Sequence, residues 1–231
     1  MTTARGVSLP EVLVTLVLGL LVVHLGLDSL SRLEAARTRM VARTDALVAL
    51  RVSHHVLRRE MRHGLGGADW EVGGDSLSIR AFRGAAIVCE SDSASASLVV
   101  SYSGDRAPDP SKDSLLLFDA VGGREVRALV ASSTSSLPCG GIGEPTAWQV
   151  DRGASPSTVV AKLFERGSYH LSDAALRYRR GASGRQPLTP EVWSGATAWA
   201  ASPDRVGVQL VPRDTAAGPP WSGFLSWSSG P

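Results

Sequence analysis

Apolar residues are spread unevenly along this chain. From Val7 to Leu27 they run almost without a break, 21 residues whose only ionisable side chains are Glu11 and His24. A helix rises about 1.5 Å per residue, so this run reaches roughly 32 Å, enough to cross the hydrocarbon core of a bilayer. Beyond Asp28 the pattern changes. Up to about His63 there is no Pro and no Gly, and Leu30, Leu33, Met40, Leu47, Leu50, Leu57 and Met61 recur at three- and four-residue steps. Ala36 and Thr44 lie between them and charged residues fill other positions. That is the period of an amphipathic helix. Together the two stretches predict one helix from about Ser8 to Arg62, roughly 80 Å long. Gly64 and Gly66-Gly67 mark its exit, and Gly19 and Gly26 are places for a bend.

From Ala68 onward short β-prone runs alternate with Gly, Pro, Ser and Asp clusters. Strands are predicted at residues 76–82, 86–89, 98–103, 114–118, 125–130, 158–164, 169–171, 174–179 and 206–211. Residues 91–97, 104–111, 132–145 and 214–220 read as loops. The expected fold class is α+β: a long N-terminal helix, one half transmembrane and one half amphipathic, packed on an antiparallel β-sheet head.

Glu11 is the anomaly in the apolar run. An unpaired charge in hydrocarbon costs on the order of 2.5–3.5 kcal/mol, so this carboxylate needs a partner. A cut between Gly6 and Val7 would place a new α-amino group four residues away, in the same chain or a neighbouring copy, where apolar surroundings strengthen the pairing. Gly6-Val7-Ser8-Leu9-Pro10-Glu11 followed by a long apolar helix resembles the prepilin signature of type IV pilins and type II secretion pseudopilins. Val7 stands where that family usually has Phe. Pro10 is a less common neighbour, tolerated in a first helical turn. Further along, Tyr169-His170-Leu171, then Ala174-Ala175-Leu176-Arg177-Tyr178-Arg179, then Gln186-Pro187-Leu188-Thr189 with Val192, resemble stretches of larger minor pilins and of J-type pseudopilins. Leu57-Arg58-Arg59-Glu60-Met61-Arg62 is similar to the helix ends of those proteins.

The resemblance implies a pilin-like fold in four parts: a leader over residues 1–6, a transmembrane half over 7–27, an amphipathic half over 28–64 and a β-rich head over 65–231. It implies cleavage by a prepilin peptidase after Gly6, methylation of the new N-terminus at Val7, and subunit assembly guided by Glu11. The partners would be that peptidase, other pilin or pseudopilin subunits and the inner membrane. The N-terminus would be cytoplasmic, the head outside, and the chain a structural subunit that primes or caps a filament, not an enzyme. Arg5 agrees with that orientation, whereas Arg32, Arg37, Arg39 and Arg43 after the span weaken the charge argument. Two other readings compete. A secretory signal needs a small-x-small cleavage site, which Asp28-Ser29-Leu30-Ser31-Arg32-Leu33 lacks. A plain anchor needs no Gly-x4-Glu.

Composition refines the picture. Lys plus Arg number 24 and Asp plus Glu 22, a net charge of +2, and the only lysines are Lys112 and Lys162. The charges are interspersed, so no nucleic-acid stripe is evident and no nucleic acid is expected as a partner. Two cysteines in an exported head point to one disulfide, Cys89–Cys139, whose loop of about 50 residues contributes roughly 4 kcal/mol on the chain-entropy model. Two free buried thiols are the alternative. His54, His55, His63 and Glu60 cluster on the helix, but His54 and His55 point about 100° apart and a metal needs three or four converging ligands, so no metal and no cofactor is assigned. Gly64-Leu65-Gly66-Gly67 follows a helix and does not open one, unlike a phosphate cradle. No Gly-x-Ser-x-Gly elbow is present, and Cys139 in Pro-Cys-Gly-Gly fits the disulfide better than a nucleophile. His24 reads as a tolerated residue near the outer interface. Trp221 and Trp227 flank a Pro/Gly/Ser-rich tail as a candidate contact patch. An anchored binding module, for example for DNA in competence, and an anchored hydrolase remain alternatives in function.

The chain recovered from membranes of its host is expected to start at Val7 and to carry one methyl group, which N-terminal sequencing and intact mass will read. A start at Met1 would reduce it to an anchored head, and a start beyond Leu27 would mean a secretory signal.

Overall fold

The computed structural model describes residues 9–62, 64, 68–140, 145–195, 197–202 and 205–226. Helix α1, Leu9–Met61, is unbroken over 53 residues, about 80 Å at the helical rise. Pro10 sits in the first turn, where no intrahelical donor is lost. Arg58 and Arg59 lie in the last turn, against the negative end of the helix dipole. The Gly64 N–H donates to the Met61 carbonyl at 3.3 Å, just past the end. The helix therefore stops where the sequence pattern ends it, and it runs through Gly19 and Gly26.

The head is built from β1 (Trp70–Gly73), β2 (Ser76–Asp92), β3 (Ser97–Gly104), β4 (Asp113–Asp119), β5 (Arg124–Thr134), β6 (Pro145–Val150), β7 (Thr158–Ser172), β8 (Ala175–Arg180), β9 (Arg185–Pro187), β10 (Ala198–Ser202), β11 (Arg205–Leu210) and β12 (Trp221–Ser226). A 3₁₀ turn, Thr215–Ala217, precedes β12. The fold class is the α+β, pilin-like one anticipated: one long apolar N-terminal helix packed against multi-stranded antiparallel sheet. Its detail differs from the pattern-based strands. Runs 76–82 and 86–89 are one continuous β2, and runs 158–164 and 169–171 are one continuous β7. In each case polar residues or glycine in mid-strand, Arg83-Gly84 and Glu165-Arg166-Gly167-Ser168, interrupted the apolar alternation without ending the strand.

These two long strands organise the head. The far half of β2 pairs with β3, and the order continues β3-β6-β5-β4-β7. Strand β7 then pairs back onto β2, so six antiparallel strands close into a barrel without a free edge. Its interior holds Leu98, Val100, Leu115, Leu117, Leu129, Trp148, Ala161 and Leu163, all at most 2% exposed. Tyr102 packs edge-on to Trp148, with ring centroids 5.5 Å apart, and its hydroxyl donates to the Arg106 carbonyl at 2.8 Å. Gly84 and Gly104 lie under this Tyr102 ring. A Cβ on Gly104 would collide with the phenol and with the Arg83 carbonyl.

The near halves of β2 and β7 leave the barrel and form a second sheet, β1-β2-β7-β8-β9. One residue makes this possible. Phe82 is opposite Phe164 and Gly84 is opposite Leu163, so Arg83 is a bulge with no partner on β7. The bulge reverses the alternation on β2: before it Leu77, Ile79 and Ala81 are buried, and after it Ala86. The inner face of the sheet and the interior of the barrel are thus one surface. Over the sheet this surface meets α1: Leu77, Ile79, Ala81, Tyr169 and Leu176 share a core with Ala49, Leu57 and Met61. The three-stranded sheet β10-β11-β12 adds Trp199, Val206, Val208 and Leu210 to the same core.

Cys89 on β2 is joined to Cys139, with Cα atoms 5.5 Å apart, so the β5–β6 connection is tethered to the barrel wall. The two free thiols weighed above do not occur.

Replacing Trp148 by Ala should cost about 3–5 kcal/mol through loss of the barrel's central side chain. Val159, 42% exposed on β7, should tolerate Ala within about 0.5 kcal/mol. Urea unfolding of the two variants will check the contrast.

Candidate functional site

Helix α1 shows two different sides. Toward the head it presents Ala46, Ala49, Ser53, Leu57 and Met61, all buried. The first three are small, and Ser53 satisfies its hydroxyl by donating to the Ala49 carbonyl at 2.8 Å. At about 100° per residue, Leu47 and Val48 lie on the side turned away from the head, and Leu30, Leu33, Met40 and Val41 continue that side toward the N-terminus. All six are exposed, Leu33 at 69% and Met40 at 73%. The single apolar stripe read from the sequence is therefore two. Leu57 and Met61 belong to the side the head covers, whereas Leu30, Leu33, Met40 and Leu47 belong to the side it leaves open. From Val12 to Leu27 the helix is almost wholly apolar, and none of the described residues covers it. A window of 18 residues there has a mean hydropathy of 2.1, so the helix is long and apolar enough to cross a membrane. With the head beyond it, this is the layout of a single-pass membrane protein.

Glu11 lies in the first turn of α1. The Thr15 hydroxyl donates to the Glu11 carbonyl at 3.0 Å and to that of Val12 at 2.8 Å, and no described side chain pairs with the Glu11 carboxylate. Gly6 and Val7 lie outside the described residues.

Where α1 ends, five charged groups meet in the neck between the two cores. The Arg83 guanidinium, turned inward by the bulge, donates to Glu60 Oε1 of α1 at 2.8 Å and to Glu165 Oε1 of β7 at 2.9 Å. Arg106 donates to Glu165 Oε2 at 3.2 Å and grips both oxygens of Asp113, at 2.7 and 2.6 Å. The Tyr178 hydroxyl adds a bond to Glu165 Oε1 at 2.8 Å. Side-chain exposures of 17% for Arg83, 11% for Glu60 and 8% for Glu165 make this a nearly dry network. Burial pushes the Glu165 carboxyl up, but hydrogen bonds from Arg83 and Tyr178 and the charges of Arg83 and Arg106 outweigh it and hold the group below its ordinary value. Burial likewise opposes the charge on Arg83, and Glu60 and Glu165 reverse that, so the guanidinium is held charged more firmly than in water. Burial and the neighbouring carboxylates raise the phenols of Tyr169 and Tyr178, which stay neutral.

Sequence reasoning missed this neck because its members are spread from Glu60 to Tyr178. The one local signal was Glu165, a lone carboxylate at the end of the run Val159-Val160-Ala161-Lys162-Leu163-Phe164. The stretch from Tyr169 to Thr189 folds into one local unit. Tyr169 on β7 faces Tyr178 on β8 with ring centroids 5.0 Å apart. The segment after them returns so that the Leu176 N–H donates to the Thr189 hydroxyl at 3.0 Å. Of the helical His/Glu group, His54 and Glu60 have separate partners. His54 packs edge-on to Trp221 at 6.2 Å, Glu60 is held by Arg83, and His63 lies outside the described residues, as do Gly66, Gly67 and Trp227. Among the described residues no group of three His, Cys, Asp or Glu side chains is placed to hold a metal. No family model, curated protein or solved structure matches the chain.

Removing one member of a buried charge network leaves the others uncompensated, so Arg83→Met should cost about 3–5 kcal/mol at neutral pH. Because the folded Glu165 carboxyl sits below its unfolded value of about 4.3, its stabilisation is complete above that pH and disappears as pH falls through the folded value. The variant should therefore show a flatter loss of stability on acidification than the parent. Urea titrations followed by tryptophan fluorescence between neutral and acidic pH will test both.

Proposed function

We propose that this chain is a minor pilin or pseudopilin, a structural subunit that primes or caps a type IV pilus or a type II secretion pseudopilus. The observation that carries the reading is the uncovered side of α1. An ordinary anchor needs apolar cover over about 20 residues of bilayer and no further. Here exposed leucine, methionine and valine continue past that length, to Val48, on the side opposite the head. A helix apolar in lipid and still apolar on one side outside it is suited to packing against other helices. The filament core of pilins is built from such helices.

In this reading a prepilin peptidase cuts between Gly6 and Val7 on the cytoplasmic side of the inner membrane, and the Val7 amine is methylated. That ammonium pairs with a Glu11 carboxylate, its own or a neighbour's, which offsets the cost of a charge in hydrocarbon and sets the register between subunits. As the subunit leaves the bilayer, lipid contacts of Val12 to Leu27 are exchanged for helix contacts, and the stripe from Leu30 to Val48 extends the seam. The chain performs no chemistry of its own; it is the peptidase's substrate. Pilus and secretion machines use the same subunit type, and the genes beside this one would separate them.

Leu47→Glu should leave the folded head and N-terminal processing intact while lowering incorporation into filaments at least about tenfold, and Glu11→Ala should do the same. Sheared filament fractions probed for each variant, next to the processed membrane pool, read this directly. Normal incorporation of both variants would exclude the packing role.

A further inference from the structure

Besides Arg83 in the neck, six arginines lie on or beside the sheet β1-β2-β7-β8-β9. Two of them are neutralised locally: Arg80 by Asp69, and Arg177 by Asp173 and Glu191. The other four, Arg166 on β7, Arg179 and Arg180 on β8 and Arg185 on β9, make no ion pair among the described residues. Side chains alternate along a strand, so Arg166, Arg179 and Arg185 share one face beside the β8–β9 hairpin and Arg180 turns to the other. Arg179 stands directly opposite Arg185, and Arg180 is opposite Gly167, next to Arg166. Like charges directly opposite on an antiparallel pair destabilise it. The strain reaches a neighbour. His170, 6% exposed, is held below its ordinary value by burial and then by the charges of Arg185 and Arg179.

We propose that the β8–β9 hairpin is a docking site for a short acidic segment of a partner protein, its carboxylates bridging Arg166, Arg179 and Arg185. Guanidinium groups bind carboxylates in forked pairs, and an incoming carboxylate would relieve the Arg179–Arg185 repulsion. The borders argue for a short segment. Asp69 and Glu71 lie on one side of the patch, and Asp173 and Glu191 on the other. An extended polyanion following the sheet would run into these carboxylates, whereas two or three acidic side chains fit between them. The proposal rests on the head alone and does not depend on filament assembly.

The test uses the full chain in zwitterionic detergent micelles with a fluorescent hexaglutamate peptide as probe, read by anisotropy at low and moderate salt. The expected result is salt-sensitive binding that weakens about tenfold in the Arg179→Gln/Arg185→Gln double variant. That variant should melt no lower than the parent, because a repulsion has been removed. Absence of peptide binding, or binding equal in parent and variant, would overturn the proposal and leave the arginines as guards of an exposed edge strand. A DNA duplex of matched length is the second probe. Tighter binding of the duplex than of the peptide, lost in the same variant, would also overturn it in favour of a nucleic-acid surface.

Discussion

The bulge at Arg83 fixes how the parts of this protein meet. Without the extra residue, β2 would turn its apolar side chains outward either over α1 or in the barrel, because a single-residue slip exchanges the faces of a strand. With it, one sheet surface covers a helix and then rolls into a barrel. The residue that makes the switch also carries the charge that holds it. Arg83 reaches Glu60 on the helix and Glu165 on the facing strand, and Arg106 and Asp113 complete the group. Charges this dry are costly unless all their partners are present, so the network tolerates few arrangements of helix against barrel. Apolar contact alone would permit sliding. Here the depth and rotation of α1 are pinned at its end.

That pinning gives meaning to the difference between the two sides of the helix. Ala46, Ala49 and Ser53 let the head approach the backbone closely, and Leu57 and Met61 fill the space where the groove widens. The opposite side keeps large flexible side chains with no partner among the described residues. Because the head fixes the helix's rotation, it also fixes where those side chains point. The head thus aims a contact surface that it does not itself touch.

The long helix was legible because its signal is local: composition, a 3.6-residue period, and Gly where the period stops. The division of its apolar residues between two sides was not. Periodicity locates apolar positions but does not say which neighbour covers them, and small Ala46 and Ala49 carried the buried side without standing out. Among the strands, those rich in branched and aromatic residues were found. The short strands Trp70–Gly73 and Arg185–Pro187 were missed because tertiary pairing, not propensity, makes them strands. The same holds for Pro145–Val150 and Trp221–Ser226, which open on Pro or contain Gly. The joining of β2 and β7 through polar middles was hidden for a related reason. Arg83 and Glu165 look like strand breakers until each is seen to neutralise the other. Glu11 stood out at once because a carboxylate in an apolar run is anomalous by itself, whereas the neck arginines are anomalous only once folded.

The closed barrel has a consequence in time. Its seam is the pairing of β2 with β7 beyond the bulge, which sets Gly84 opposite Leu163 and Ile87 opposite Val160. Every other stave lies between these strands in the chain. The seam cannot shut until β7 is available, and contacts so distant in sequence are slow to form. The adjacent pairs β2–β3 and β4–β5 have their partners early, but the barrel they belong to stays open until β7 is present. The width of the barrel is therefore fixed by the last stave to be made, not by the first.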